Sequence, residues 1–102
     1  MADFFPNPVC TTPTVGLAST ALAVLNADRV YIYMVNPTAV DLWVMFGAAA
    51  EVGKGFMLAA NNGSLTFSVD SEKAKWMRNA INAIDASGVG GRVIAVTEVT
   101  GR

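Results

Sequence analysis

Catalysis usually needs a proton carrier near neutral pH, and this chain of 102 residues contains no histidine. That removes Ser-His-Asp and Cys-His nucleophilic catalysis, the usual zinc sites and haem ligation through His. Paired carboxylates could still support acid–base chemistry. However, Asp41, Glu51, Asp70, Glu72, Asp85 and Glu98 fall mainly at expected turns or outward positions, so solvated surface groups are expected. Cys10 is the single cysteine, which allows neither an intramolecular disulfide nor a zinc site built by itself. It reads as a small apolar residue of an N-terminal arm.

The remaining motifs are weak as chemistry. Gly88-Val89-Gly90-Gly91 has a phosphate-loop flavour, but Val93 stands where a dinucleotide fingerprint needs glycine. Arg92-Val93 likewise cannot supply the Lys-Ser/Thr of a P-loop, which leaves a turn before the last strand. Asn62-Gly63-Ser64 matches a glycosylation sequon and, equally, a tight turn; the turn is the reading adopted. Trp43, Tyr31, Tyr33 and Trp76 could line a sugar-binding face, or serve as core and interface aromatics.

Composition points to burial against other molecules. The chain is 53% apolar and 15% charged, against about 25% charged in typical soluble domains. A domain of this length hides about 65% of its unfolded surface, enough for one modest core. A spanning helix needs about 20 consecutive apolar residues. Asn26, Asp28, Arg29, Asn36, Pro37 and Asp41 interrupt every such stretch, so no membrane association is expected. No basic stretch precedes an apolar run near Met1, so no secretory signal is expected. Seven basic residues are scattered among eight acidic ones, for a net charge of −1. Nucleic-acid binding needs clustered cations, so no nucleic-acid partner is expected.

The elements that would position these residues are strands. Residues 1–14 hold three of the four prolines and read as an extended arm, with residues 15–102 as one domain. Pro6 and Pro8 keep the arm extended, and Phe4 and Phe5 would plug a neighbour's groove. Residues 15–25 alternate loosely as a strand or two, although the alanines leave a helix open. Val30–Val35 is apolar or aromatic throughout, as in a central strand buried on both faces, and Asn36-Pro37 ends it. The next strand puts Val40, Leu42, Val44 and Phe46 on one face, and Asp41, Trp43 and Met45 on the other.

Gly47–Gly55 reads as a loop. Phe56–Ala60 and Ser64–Val69 then read as a hairpin, joined by a type I′ turn at Asn62-Gly63. Arg92–Thr100 alternates as a last strand. Between them, residues 70–86 have helical periodicity, with Asp70 as N-cap and Ser87-Gly88 as the stop. Short strands at regular spacing predict an all-β, single-domain antiparallel sandwich or jelly-roll-like barrel.

The run Ala80-Ile81-Asn82-Ala83-Ile84-Asp85-Ala86-Ser87-Gly88, followed by Val93-Ile94-Ala95-Val96-Thr97-Glu98, resembles the C-terminal signature of small virion structural proteins of tailed bacteriophages. Arg29-Val30-Tyr31-Ile32-Tyr33-Met34-Val35-Asn36-Pro37, Val40–Gly47 and Phe56-Met57-Leu58 fit the same pattern, so the resemblance covers about residues 15–100. It implies an irregular loop to about Met77 and a strand through Asp85, in place of the helix; the strand is preferred. It also implies that Arg29 is a structural anchor, pairing with Glu98 or a backbone carbonyl.

Within that group the chain is most similar to head decoration or capsid cement proteins. The resemblance implies a non-enzymatic protein without cofactors or metals, on the virion's capsid surface, assembled in the host cytoplasm. Its partner would be the major capsid protein, and it would self-associate as a trimer or dimer. Phe4, Phe5, Trp43 and Trp76 are the expected interface anchors. A tail, neck or head-fibre component is the alternative within this class, and a carbohydrate-binding module for host attachment the alternative outside it.

Overall fold

The computed structural model describes residues 8–68, 76–85, 87 and 90–101. Ten strands follow in order: β1 (Val9–Thr11), β2 (Thr14–Val15), β3 (Thr20–Ala23), β4 (Arg29–Asn36), β5 (Leu42–Phe46), β6 (Phe56–Leu58), β7 (Gly63–Ser68), β8 (Ile81–Asp85), β9 (Arg92–Val93) and β10 (Ala95–Thr100). They build an antiparallel β-sandwich. Sheet I has the order β1-β10-β4-β7, sheet II the order β3-β8-β5-β6, and β2-β9 form a small ribbon. Among the described residues the helical content is a single 3₁₀ turn at residues 76–78.

The core follows from the two-residue period of the strands, which sends alternate side chains to opposite faces. Ile32 and Met34 of β4 and Val96 of β10 meet Leu42 and Val44 of β5, Leu58 of β6 and Ile81 and Ala83 of β8. Val15, Leu22, Met77 and Ile94 close the margins. β4 is central, as its β-branched and aromatic run predicts, but only its inward face is fully buried; Tyr31, Tyr33 and Val35 are half-buried on the outside.

Residues 15–25 give β2 and β3, so the helical option is not taken. The expected last strand is split at Ile94, whose N–H bonds to the Pro13 carbonyl instead of continuing either ladder. Ile81–Asp85 is strand, as the resemblance implies and against the helical periodicity; residues 69–75 lie outside the described set. β8 pairs with β3 on one side and β5 on the other. A segment with ladders on both sides buries apolar residues on one face and half-buries the other, so its pattern is blurred.

The expected hairpin is corrected. β6 pairs with β5 in sheet II, whereas β7 pairs with β4 in sheet I, so β5–β6 is the hairpin and the β6–β7 link is a corner between sheets. The positive φ angles fall on Asn61 (59°) and Asn62 (73°), not on Asn62 and Gly63. The corner is held from outside: Asn61 N–H donates to the Thr38 carbonyl and Asn62 N–H to that of Asn36. Gly63 is already in β7, where a Cβ would lie 2.3 Å from the Ala59 carbonyl oxygen. Close approach, not φ, demands glycine there.

Candidate functional site

Among the described residues three polar or charged side chains are buried, and each ties separate elements together. Arg29 opens β4 with no exposed surface. It reaches the core side through a register shift: Tyr31 faces Val99 while Arg29 faces Thr100, so Val30 is an extra residue that reverses the alternation. The guanidinium donates to the Glu98 carboxylate, to the carbonyls of Met77 (2.7 Å) and Asn79 (2.9 Å), and to that of Val24 (2.8 Å). Both partners expected for Arg29 are thus present, and one cation joins β10, the 3₁₀ turn and the β3–β4 loop.

Asn36 closes β4 at its other end. Its amide NH₂ donates to the Val40 carbonyl (2.7 Å) and the Leu58 carbonyl (3.0 Å), and its oxygen accepts from Thr38 N–H and Oγ1. Asp85 ends β8 and organises the turn after it. It accepts from the N–H groups of Ser87 (2.7 Å) and Gly90 (2.8 Å) and from Arg92 Nε (3.2 Å). Burial works to raise its pKa, but these hydrogen bonds outweigh burial and hold it lowered to about 2. The expectation of solvated carboxylates is therefore corrected for Asp85 and Glu98, which face inward. Asp41 and Glu51 are exposed, and Asp70 and Glu72 lie outside the described residues.

These groups leave no reactive constellation. Among the described residues every buried side-chain polar atom has a hydrogen-bond partner, and no group of three His, Cys, Asp or Glu is placed to hold a metal. Gly90 and Gly91 have positive φ, in keeping with the turn expected before the last strands.

What remains is surface. On sheet I the outward rows are Cys10-Thr97-Tyr33-Thr66, Ala95-Val35-Ser64 and Val99-Tyr31-Ser68. On sheet II they are Met57-Trp43-Ile84 and Met45-Asn82-Ala21. None of these residues is charged. The Asn82 amide is satisfied internally by the Ala48 carbonyl (2.7 Å), which leaves the sheet II face apolar in character. Of the described charges that reach solvent, Asp41, Glu51, Lys54, Arg78 and Arg92 lie in loops or at strand ends, while Glu98, partly exposed within β10, stands in the inward row opposite Ile32.

The four expected interface residues are separated. Trp43 sits half-buried at the centre of the sheet II face, beside the 46% exposed Met57. Trp76 is 42% exposed but belongs to an intramolecular cluster. It stacks on Phe56 (5.7 Å) and meets Phe46 and Phe67 edge-on, sealing the gap between sheets beside β6 and β7. Phe4 and Phe5 lie outside the described residues. The aromatics considered for sugar binding do not share a face: Tyr31 and Tyr33 are on sheet I, and Trp43 is on sheet II.

Sequence reasoning missed Asn36 and Asp85 as buried ties. Asn36 had a signal in its position before Pro37; Asp85 had one in the Ser and Gly that follow it. Among the described residues no helix is long and apolar enough to cross a membrane. No protein-family model, curated protein or solved structure matches the chain.

Proposed function

We propose that the chain is a non-enzymatic structural protein of a tailed-phage virion, a cement protein that decorates and stabilises the capsid at capsomer junctions. The observation that carries the reading is the absence of charge from the described outward strand positions of both sheets, with charges gathered at ends and loops. That distribution matches a protein–protein interface, whose centre is depleted of charge and whose rim is polar. It offers no clustered cations to phosphates, so the major capsid protein and further copies of the chain are the partners it favours. The resemblance over about residues 15–100 supplies the setting.

The mechanism is mass action. A protein that binds only the assembled shell stabilises it by about 2.7 kcal/mol per site at a hundredfold excess over Kd. The test is light scattering of the purified chain, alone and mixed with capsids that lack it. Saturable binding that raises the capsid's thermal or chemical resistance is expected. A stable free oligomer with no capsid binding would overturn the cement reading in favour of a tail, neck or fibre component. A glycan-array signal abolished by Trp43→Ala would instead favour sugar recognition.

A further inference from the structure

Edge strands expose unpaired N–H and C=O groups, and folded proteins normally blunt them with short length, proline, bulges or charge. Of the four edges of the two main sheets, three are blunted. β1 has three residues and lies between Pro8 and Pro13. β3 has four residues and a register shift around Leu22. β6 has three residues, directly after Lys54-Gly55. β7 is different: Gly63-Ser64-Leu65-Thr66-Phe67-Ser68 is six residues long, uncharged, without proline and in unbroken register with β4. Among the described residues no strand pairs with its outer side.

We propose that the outer edge of β7 is a docking edge for β7 of a second copy of this chain, paired antiparallel about a twofold axis. Self-pairing fits because the strand has no charge to oppose itself and its two faces are already distinct. Ser64, Thr66 and Ser68 point outward, while Leu65 and Phe67 point to the core. Residues directly opposite each other across a ladder share a face, so the axis must pass through a residue and not between two. An axis at Thr66 opposes Thr66 with Thr66, Ser64 with Ser68 and Leu65 with Phe67. Hydroxyls then meet hydroxyls, apolar groups meet apolar groups, and Gly63 stays out of the ladder. The two copies of sheet I become one continuous sheet whose outer face has no charge at its described strand positions.

This inference is independent of the capsid reading. It is tested on the full chain by sedimentation from low micromolar to several hundred micromolar concentration. The expected result is a concentration-dependent dimer, with Thr66→Lys weakening it about tenfold or more by placing like charges opposite each other. Thr66 is exposed, so the variant's fold is verified by an unchanged circular dichroism spectrum. A second variant, Thr66→Cys in a Cys10→Ser background, keeps the side chain small. Opposed residues have Cβ atoms about 5 Å apart, near the range a disulfide spans, so oxidation should give a cross-linked dimer that reductant reverses. A monomer at every concentration would overturn the proposal. So would a dimer that Thr66→Lys leaves intact and Thr66→Cys does not cross-link. Loss of capsid binding in Thr66→Lys with a monomeric parent would assign the edge to a different partner.

Discussion

Arg29 and Glu98 are bonded across 69 residues of chain, with the guanidinium wholly buried and the carboxylate still in partial contact with solvent. The carboxylate also accepts from Asn26 Nδ2, whose own oxygen caps Asp28 N–H. The pair therefore fixes where β4 begins and, through Val30, which way its first side chain turns. Removing Glu98 leaves a buried guanidinium without its counter-charge, although its carbonyl acceptors remain. Glu98→Ala is expected to cost about 3 kcal/mol in urea unfolding. Glu98→Gln, which keeps an acceptor, should cost less, since three carbonyls still receive the guanidinium.

Asn36 performs the corresponding task at the far end of β4, without charge. Asn36→Ala leaves the carbonyls of Val40 and Leu58 without their amide donors. A loss of about 2 to 4 kcal/mol in denaturant unfolding is expected, as for unsatisfied buried polar groups. Asn36→Asp at neutral pH should be no better, because a carboxylate oxygen would face those same carbonyls.

Asp85 makes stability depend on acid. Its folded pKa, about 2, lies below the ordinary carboxylate value, so the unfolded chain takes up the proton first as pH falls. Its contribution is complete above about pH 4, declines below it and is gone below about pH 2, a change of about 2 kcal/mol. Asp85→Asn should remove this component from a pH series of unfolding free energies. An unchanged acid slope in that variant would refute the assignment.

The β6–β7 corner separates two neighbouring residues by mechanism. Gly63→Ala should destabilise by about 2 kcal/mol or more, because its Cβ would collide with the Ala59 carbonyl. Asn62→Gly should be neutral within about 1 kcal/mol, since glycine adopts the same φ freely. Asn61→Ala distinguishes this corner from a type I′ turn at Asn62-Gly63: with φ at 59° it should cost about 1 kcal/mol in a thermal melt, whereas in that turn position 61 would need no positive φ.

The tryptophans should divide stability from association. Trp76→Ala removes a ring that meets three phenylalanines and should lower stability by about 2 kcal/mol, each aromatic pair contributing about 1 kcal/mol beyond area at most partly exposed positions. Trp43→Ala should melt closer to the parent and act mainly on binding through the sheet II face. Parallel melts and capsid-binding isotherms check both.

Much of the sandwich is legible in the chain because most strands bury one face and alternate cleanly, as Leu42, Val44 and Phe46 do against Trp43 and Met45. The failures have distinct causes. Asn62-Gly63 carries a local hairpin preference, but the hydrogen bonds that settle the corner come from Thr38 and Asn36, more than twenty residues away in sequence. At Ile81–Asp85 the repeated alanines and isoleucines satisfy a helical period as well as a strand period, and ladders to β3 and β5 decide between them. The surface rows were not legible at all. Tyr33, Thr66 and Thr97 become neighbours only through register between strands distant in sequence.

The position of β10 also governs timing. It lies between β1 and β4, so sheet I cannot be completed until residues up to Thr100 are available to pair. A chain still leaving the ribosome can pair β4 with β7 and β5 with β6, yet it has no cover for Ile32 and Met34 on the β10 side and no carboxylate for Arg29. Closure of sheet I therefore waits for β10, and the interval before that strand pairs is when the apolar strands already made are open to the wrong neighbours.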